Sequence, residues 1–477
     1  MLILLLLCCL FTFSCSQPAT LGMTADTEAF LSSGRLETLA QELGYRVDRE
    51  GAPDFLAETA VRDWENREDL PAGAVEVRRE VFVPRVPLTD LRTDISLAEL
   101  AADHRIPLIS PDSMPPGAKS LKVDGCYPDD PRYPLIRRTA VLLTPRSDEP
   151  VPPELASALR SSLPGPDPVL PVLRIASVGD MMLQRGIEQV LLGRDDGAEM
   201  IFGDTLGDLA APDLLTGNLE GAVTLRGTRT PKTYNFRFLP DNLPLLKQLG
   251  FDYLAVTNNH SFDWGLQGFR DTLAALTSAG IGTSGAGNSL PESLLPWLID
   301  SGGQSVAVYS LGAYPREQNG FDGYLQASAR EDRPGILWNT PENLEALAAS
   351  LDHRRINVIL VHGGREWRSV PDDSVRELYR RLVDMGFQVV FGSHPHVLQG
   401  MEGYREGLIY YSLGNFLFPG MEEMPNAEES IIAVTGFYGR RPLYVENRFV
   451  RLQGPRISLD STGKIARRFS EMTRLLN

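Results

Sequence analysis

The sequence predicts a layered α/β domain that follows a separate N-terminal region. After residue 172, short runs of β-forming apolar residues alternate with segments whose apolar residues recur at helical spacing. Polar clusters directly follow several of these runs, as is typical of strands whose carboxyl ends form a ligand site. A segment rich in proline, 163–171, precedes this pattern and predicts a linker between domains.

Length and charge limit both the architecture and the ligands. At 477 residues the chain is too long for one compact core, so two or three domains are expected. The formal net charge of −16 argues against nucleic-acid binding, which requires a basic surface. It also argues against binding to an anionic membrane surface through charge.

The first residues predict a targeting segment. Residues 1–13 are apolar apart from Thr12, and this stretch is too short to cross a bilayer. The first basic residue is Arg35, so the positively charged start of a signal peptide is missing. Residues 10–15 are similar to a bacterial lipobox, which predicts cleavage before Cys15, lipidation of Cys15, export and lipid anchoring at the cell envelope. The alternative is an ordinary cleaved signal.

Residues 20–162 are predicted to form an α+β domain whose role stays open, because no catalytic cluster occurs in it. The segment from 83–87 through 133–135 is weakly similar to one lobe of the periplasmic phosphate-type solute-binding proteins, without their binding residues. The predicted elements of the domain are helices at 36–43 and 97–102, strands at 75–83 and 138–143, and a proline-rich loop at 107–134.

Residues 172–477 alternate between predicted strands and helices, and three late strands are expected to complete a sheet. The predicted strands are 172–178, 253–257, 356–361, 388–391, 408–412, 430–434, 443–445 and 448–452. The predicted helices are 267–279, 342–351 and 373–385, and Asp263 is expected to cap the first of them.

Six polar clusters in this region hold four of the chain's six histidines. Because they follow predicted strands, their side chains are expected to meet at one sheet edge, and the mixture of oxygen and nitrogen ligands suits a metal site. Taken singly, these clusters also occur as ordinary turns, and His362 after a strand could be structural. The clusters are Gly179-Asp180, Asn218-Leu219-Glu220, Asn258-Asn259-His260, His362-Gly363-Gly364, His394-Pro395-His396 and Gly414-Asn415-Phe416.

The chemistry of these side chains predicts their roles. Asp180 and Glu220 supply negative charge, and a carboxylate can bridge two cations. Two ions about 3.5–4 Å apart would clamp a substrate oxygen and activate water near neutral pH. His260 adjoins a ligand and is well placed to protonate a leaving group. The neutral ligands would be Asn259, His362, His394 and His396.

The ordered motifs between residues 174 and 418 resemble those of the bacterial CapA, or poly-γ-glutamate capsule synthesis, family. That family belongs to the calcineurin-like metallophosphoesterase superfamily. The resemblance implies a four-layer α/β/β/α sandwich with its site at the strand ends. The matching motifs are 179–182 (GDMM), 218–220 (NLE), 258–265 (NNHSFDWG), 362–367 (HGGREW), 392–397 (GSHPHV) and 411–416 (YSLGNF).

The resemblance also implies a division of the ligands between one or two divalent ions, which would be Mn, Fe, Zn or Mg. Two departures from the superfamily pattern affect the site. Met182 stands where a histidine ligand is usual, and Glu220 replaces the usual bridging aspartate, so one ion would lack a ligand. The implied division places Asp180 and His396 on one ion, Asn259, His362 and His394 on the other, Glu220 between them, and His260 as the acid.

Several basic residues near the motifs predict a local groove for a carboxylate-rich or phosphorylated ligand. The alternative is solvated surface charge. Glu366 and Trp367 are expected to line the cleft. The basic residues are Lys232, Arg237, Arg365 and Arg368.

The sequence thus predicts an exported, metal-dependent hydrolase that acts on an anionic envelope polymer or its precursor. Its expected partners are that polymer or a phosphorylated small molecule, capsule-synthesis membrane proteins, and the membrane through the lipid anchor, but no nucleic acid. Two alternatives stay open. One is a non-catalytic capsule-assembly or polymer-tethering lipoprotein, and the other is a general metallophosphoesterase.

Overall fold

The computed structural model describes residues 20–23, 46–47, 55–62, 74–145, 151–163, 168–318 and 320–477. The predicted signal with Cys15 and the predicted helix at 36–43 lie outside these ranges. The chain divides into two compact units, one formed by residues 1–82 with 132–169 and the other by 83–131 with 170–477. None of the helices in the described ranges combines the length and the apolar character needed to cross a membrane.

In its described residues, the smaller unit contains one sheet and a helix at Pro153–Ser162. The predicted strands at 75–83 and 138–143 form as Val75–Val81 and Ile136–Pro145, which pair antiparallel. The other strands of this sheet are Thr20–Met23, Arg46–Val47 and Phe55–Arg62.

The larger unit is built on two sheets, here called the first sheet and the second sheet. In the first sheet, three parallel strands bring the polar clusters at 180, 218–220 and 258–260 to one edge. In hydrogen-bonded order the first sheet contains Phe251–Ala255, Leu214–Leu219, Val172–Met181, Glu429–Tyr438, Arg441–Val445, Ala118–Ser120, Val83–Pro87 and Leu108–Ile109. Asn415–Leu417 also pairs with Val172–Met181, and Arg448–Gln453 and Arg456–Leu459 continue from Glu429–Tyr438.

The second sheet has a parallel centre and antiparallel edges. Its central strands are almost wholly buried on both faces, as expected for parallel strands covered by another layer on each side. In order it contains Trp297–Ser301, Gln304–Ala313, Ile356–Gly363, Val389–Ser393, Gly407–Leu413 and Leu398–Tyr404.

Helices cover the outer faces of both sheets, which confirms the predicted four-layer α/β/β/α sandwich. One apolar core lies between the sheets and joins Ile175 of the first sheet to Val358 of the second. The helices Ile187–Gly193, Gly197–Phe202, Asn242–Gln248 and Gly265–Ser278 contribute to the core on the first sheet. The helices Pro341–Ser350 and Asp373–Met385 contribute to the core on the second.

The four predicted helices that fall in the described ranges form within two residues of their expected bounds, and Leu97–Ala102 begins with a capping box of Ser96 and Glu99. Residues 107–134 are not simply a loop, because they contain Leu108–Ile109, Ala118–Ser120 and Lys122–Val123. These strands are two or three residues long and pair with distant segments, which a local sequence pattern does not reveal. Residues 83–131 group with the larger unit rather than with the rest of the predicted N-terminal domain.

Gly179 lets two strand segments approach closely just before Asp180. A Cβ atom at this position would overlap the carbonyl oxygen of Gly414, which is a backbone atom. We therefore expect Gly179→Ala to lower the free energy of unfolding by roughly 1–3 kcal/mol, because the backbone must shift to make room. Urea unfolding measures this effect. Gly193→Ala is the control, because no atom lies within 4 Å of its added Cβ, and equal midpoints for the two variants would contradict the close approach.

Candidate metal centre

The predicted polar clusters meet where the carboxyl ends of strands from both sheets come together. Asp180 lies near the end of Val172–Met181, and Glu220 directly follows Leu214–Leu219 in the same sheet. His362 lies near the end of Ile356–Gly363 in the second sheet, where its Nδ1 is 3.7 Å from Asp180 Oδ1. The centre therefore draws its carboxylates from the first sheet and the imidazoles of its ligand groups, those of His362, His394 and His396, from the second.

Two groups of side chains present atoms that could hold a cation. In one group the ligand atoms of Asp180, Glu220 and His362 lie within 4.8 Å of one another, and in the other those of Glu220, His394 and His396 do. All five residues are buried. Glu220 belongs to both groups, which is the position predicted for it.

The division between the two groups differs from the one that the resemblance implies. His362, rather than His396, groups with Asp180, and His394 groups with His396. The two arrangements are close in space, because His396 Nδ1 also lies 3.3 Å from Asp180 Oδ2. Asn259 contacts the centre through its Oδ1 atom, 3.0 Å from His362 Nε2.

Three buried atoms of the centre have no hydrogen-bond partner among the described residues. They are both carboxylate oxygens of Glu220 and Nδ1 of His394. A buried carboxylate without a partner costs several kcal/mol, so such an arrangement calls for a compensating charge. A divalent cation fits this set of oxygen and imidazole donors, although the set does not identify the element.

Burial sets the protonation of two histidines. It lowers the pKa of His362 to about 3 and that of His394 well below the usual range, an effect that the neighbouring imidazoles increase for His394. Both rings are therefore neutral at pH 7. This is the form in which histidine binds a metal.

The remaining charges of the centre balance one another. Burial opposes the charged form of His396, but the charge of Glu220 and the hydrogen bond with Asp180 raise its pKa to about 10. Burial also opposes ionisation of Asp180, yet the hydrogen bond with His396 and its charge lower the Asp180 pKa. Burial and then the charge of Asp180 raise the pKa of Glu220 well above its ordinary value. The cluster thus holds protons that a bound cation would displace.

Amide and hydroxyl groups orient the candidate ligands. Asn218 Nδ2 donates to Asp180 Oδ1 over 2.7 Å, and Asn415 Oδ1 lies 2.8 Å from His396 Nδ1. Ser393 Oγ lies 3.0 Å from His362 Nδ1. Such contacts fix the orientation of a ligand and tune its basicity. These three residues were not among the predicted site residues, although each lies inside a quoted motif.

The backbone around the two clustered histidines is held in an unusual conformation. His394 and His396 have φ angles of 98° and 58°, in the region that residues other than glycine rarely adopt. Trp367, with φ of 64°, donates its backbone N–H to Pro395 O over 2.9 Å, and its ring centroid lies 5.4 Å from that of His396. The turn after His362 therefore packs against the His394–Pro395–His396 segment, and strain of this kind often accompanies functional sites.

His260 lies beside the centre without belonging to either group of ligands. Its Nδ1 is 2.6 Å from Asp263 Oδ2, and its Nε2 is 3.8 Å from Glu220 Oε1. The ring packs on Phe236, with 4.2 Å between centroids, and burial lowers the pKa of His260. This geometry leaves Nε2 directed to the centre, and the charge of Asp263 at Nδ1 opposes the effect of burial by favouring the protonated ring that a proton donor requires.

Asp263 is not the predicted helix cap. Trp264 occupies the cap position of Gly265–Ser278, without a side-chain hydrogen bond. The buried carboxylate of Asp263 instead accepts from the backbone N–H of Phe236 over 2.6 Å and pairs with Lys232 over 3.0 Å. The free-energy cost of burying an unpaired carboxylate exceeds the gain from capping a helix, so the carboxylate is found with these partners.

Lys232 does not line an open basic groove, because its side chain is fully buried. Its Nζ also pairs with Glu317 Oε1 at 2.8 Å and donates to the carbonyl oxygen of Asn259 over 2.6 Å. Glu317 in turn accepts from Asn259 Nδ2 over 3.3 Å. Lys232 and Glu317 therefore hold Asn259 with its Oδ1 toward His362. No motif in the sequence indicated Glu317.

The predicted substrate-binding residues lie in different surroundings. The guanidinium of Arg237 lies 4.1 Å from the centroid of the Trp264 ring, and exposed Arg365 pairs with Asp372 over 3.2 Å. Glu366 is exposed and lies close enough for its charge to raise the pKa values of Glu220 and His396. Substrate binding by these three residues stays a prediction.

The chain is similar to proteins of bacterial capsule synthesis. Residues 174–420 match the family model described as "Bacterial capsule synthesis protein PGA_cap", and this segment contains all the candidate ligands. The PGA biosynthesis protein CapA of Bacillus subtilis (strain 168) is 32% identical over 250 residues, which cover 52% of this chain and 63% of that protein.

Two further relatives match about the same part of the chain. The capsule biosynthesis protein CapA of Bacillus anthracis is 29% identical over 256 residues, covering 52% of this chain and 60% of that protein. A probable polyglutamine synthesis accessory protein of Mycobacterium tuberculosis (strain ATCC 25618 / H37Rv) is 29% identical over 286 residues, covering 51% and 74%. The chain thus spans less than two thirds of the length of the two Bacillus relatives.

Proposed function

Because this chain belongs to the bacterial capsule synthesis protein family PGA_cap, we propose that it is an exported, metal-dependent hydrolase of poly-γ-glutamate or a related envelope polymer. The observation that carries this proposal is buried Glu220, which belongs to both histidine-containing groups and whose two oxygens have no hydrogen-bond partner among the described residues. A bound divalent cation supplies Lewis acidity and activates water near neutral pH. The residues that would hold one or two such ions are Asp180, Glu220, Asn259, His362, His394 and His396.

The chain's own residues would divide the remaining work. His260 would protonate the leaving group from Nε2 after the ring takes up a second proton from solvent, while Asp263 holds the ring through Nδ1 and stabilises its positive charge, and Lys232 holds Asp263. Asn218 and Asn415 would keep Asp180 and His396 oriented. Burial of the whole cluster excludes competing water from these contacts.

The substrate and the location belong to the same proposal. The names of the Bacillus relatives support a role with a capsule polymer, so an anionic polymer or its precursor is the proposed substrate and capsule-synthesis membrane proteins are proposed partners. Lipidation at Cys15 would hold the protein at the cell envelope, as the lipobox-like residues predict.

Metal analysis combined with a hydrolysis assay tests the proposal. We expect the purified protein to contain about one or two divalent ions per chain and to cleave a γ-linked glutamate oligomer. His394→Ala should remove most of the metal and the hydrolysis, because it deletes a ligand. His353→Ala is the matched control, since His353 is an exposed histidine outside both ligand groups.

The outcomes distinguish the candidate functions. Absence of bound metal, or hydrolysis that survives His394→Ala, would contradict the hydrolase. Turnover of an aryl phosphate but not of the oligomer would favour a general metallophosphoesterase.

One observation favours the second candidate, a non-catalytic lipoprotein that tethers or assembles the polymer. Met182, two residues after Asp180, is fully buried in the apolar core on the first sheet, and its sulfur accepts from the backbone N–H of Gln184 over 3.2 Å. This position therefore contributes no ligand to the centre. Binding of the oligomer without turnover by the metal-loaded protein would support the tethering role.

A further inference from the structure

Arg185 places a positive charge beside the candidate centre. The carbon of its guanidinium lies 5.8 Å from the ring centroid of Phe236 and 5.9 Å from that of Phe418. The centroid of Phe236 is 4.2 Å from that of His260, and the centroid of Phe418 is 5.0 Å from that of His396. Phe236 therefore lies next to both the guanidinium and His260, and Phe418 lies next to both the guanidinium and the candidate ligand His396.

The chain holds Arg185 in this position through its backbone and through a neighbouring loop. Arg185 has a φ of 55°, a conformation that costs energy in residues other than glycine. Its Nη1 donates to the carbonyl oxygen of Pro419 over 2.7 Å and lies 3.4 Å from that of Gly420. A Cβ atom on Gly420 would lie 2.8 Å from Nη1, so the glycine leaves room for the guanidinium.

The charge of Arg185 is not neutralised by a carboxylate within the described part of the chain. Arg174 and Arg194, by contrast, form ion pairs with Asp213 and Asp196. Both hydrogen bonds of Arg185 among the described residues use Nη1 and end on neutral carbonyl groups. A guanidinium has five N–H donors, so its Nε and Nη2 edge remains available, and the residue is exposed.

An anionic substrate meets carboxylates at this centre, and Glu220 joins Asp180 in the charged form once a cation displaces its proton. Asp180 and Glu220 lie in the centre, and Glu366 lies close enough to act on both Glu220 and His396. A cation bound in the centre offsets part of this negative charge, and a fixed arginine beside it offsets more. The planar fork of a guanidinium also matches the two oxygens of a carboxylate or phosphate better than an ammonium does.

We propose that Arg185 binds an oxyanion group of the substrate, a carboxylate or a phosphate, next to the bond on which His260 acts. This inference rests on the proposed function and deepens it, because it assigns recognition of the acidic group to one residue. Arg185 would then distinguish acidic substrates from neutral ones. It would act on binding rather than on the chemical step.

Binding and kinetics of three variants of the full-length, metal-loaded protein test the inference. Arg185→Gln removes the charge but keeps an N–H donor, Arg185→Lys keeps the charge without the fork, and Arg354→Gln is the control. Arg354 is 91% exposed and pairs with Asp352 at the opposite end of the strand that carries His362. The probes are a γ-linked glutamate oligomer and inorganic phosphate, with binding measured by calorimetry.

We expect Arg185→Gln to weaken binding of at least one probe roughly 10- to 100-fold, the loss of one charge-assisted hydrogen-bonded contact. Its KM should rise by a similar factor with little change in kcat, while the metal content stays that of the parent. Arg185→Lys should recover part of the affinity, and Arg354→Gln should bind like the parent. Weakening for the oligomer alone identifies a carboxylate, and weakening for phosphate alone identifies a phosphoryl group.

The outcomes separate this inference from the proposed function. Parental affinity of Arg185→Gln for both probes overturns the inference, whether or not hydrolysis is observed. Binding that depends on Arg185 in a protein without hydrolysis supports the inference and contradicts the hydrolase. If Arg185→Gln unfolds at a lower temperature than the parent, Arg185→Lys decides. In that case, an affinity of Arg185→Lys that is closer to that of the parent than to that of Arg185→Gln supports the inference. An equal loss of affinity in both variants overturns it.

Discussion

Replacing Glu220 by glutamine should abolish binding of divalent metal and, in the metal-free protein, raise the free energy of unfolding. Glu220 is fully buried, its two oxygens have no hydrogen-bond partner among the described residues, and it belongs to both ligand groups. Burial and the charge of Asp180 raise its pKa, so the metal-free fold loses stability when an unfolded glutamate would ionise. We expect the free energy of unfolding of the metal-free protein at pH 7 to rise by about 1–3 kcal/mol when this carboxyl is removed.

The dependence of this gain on pH follows from the direction of the pKa shift. Below about pH 4.5 the carboxyl is protonated in both the folded and the unfolded chain, so Glu220 carries no penalty there. As the pH rises from about 4.5 toward the raised pKa of the folded state, the penalty grows. The stability difference between Glu220→Gln and the parent should therefore be small at pH 4 and largest near neutral pH.

Urea unfolding with a chelator and with added manganese measures both effects. The parent should gain stability from the metal through preferential binding to the folded state, and Glu220→Gln should not. Glu402→Gln is the matched control, because Glu402 is also buried but accepts from Arg380 and Tyr411. It should destabilise the protein by about 1–3 kcal/mol. A similar loss of stability for metal-free Glu220→Gln would mean that the Glu220 carboxyl, like that of Glu402, is stabilised by hydrogen-bond partners, and would contradict the prediction.

Replacing His260 by asparagine should lower the rate of hydrolysis about 10²- to 10⁴-fold while the metal content remains unchanged. His260 Nε2 faces Glu220, but the ring is outside both ligand groups. Its Nδ1 is held by Asp263. The substitution should therefore slow proton transfer to the leaving group and leave metal binding by the ligand groups unchanged.

The leaving group of the substrate provides an internal control for His260. A substrate that releases a weakly basic phenolate needs little protonation, so His260→Asn should slow it less than it slows a substrate with a basic leaving group. The measurement compares kcat for two such substrates beside a metal analysis of the same preparation. Metal loss in parallel with activity would identify His260 as a ligand instead of an acid.

The fold and the centre differ in how far the sequence predicted them. Alternating apolar runs predicted most central strands, and strand ends predicted the convergence of Asp180, Glu220 and His362, because parallel strands carry their carboxyl ends to one edge. The terminal helix Lys464–Arg474 was not predicted, although Ile465 and Phe469 are spaced by one helical turn and enter the core between the sheets. Its many charged residues obscured that spacing.

The surroundings of the ligands were less predictable than the ligands themselves. Lys232, Asp263 and Glu317 meet around Asn259 and His260, yet they lie in connecting segments whose path a local pattern does not determine. The sequence pattern therefore predicted, wrongly, that Lys232 lies in a surface groove and that Asp263 caps a helix. The same reasoning applies to Arg185, whose position depends on the distant residues Phe418 and Pro419.

The origin of the carboxylates in one sheet and of the imidazoles in the other has a mechanical consequence. A cation held between Glu220 and His394 would cross-link the two halves of the sandwich across their shared apolar layer. Such a cross-link would resist local separation of the two sheets, and local opening is one way in which a protease reaches the interior of a folded protein. In the exported protein proposed above, survival and activity would then both depend on the supply of the same ion.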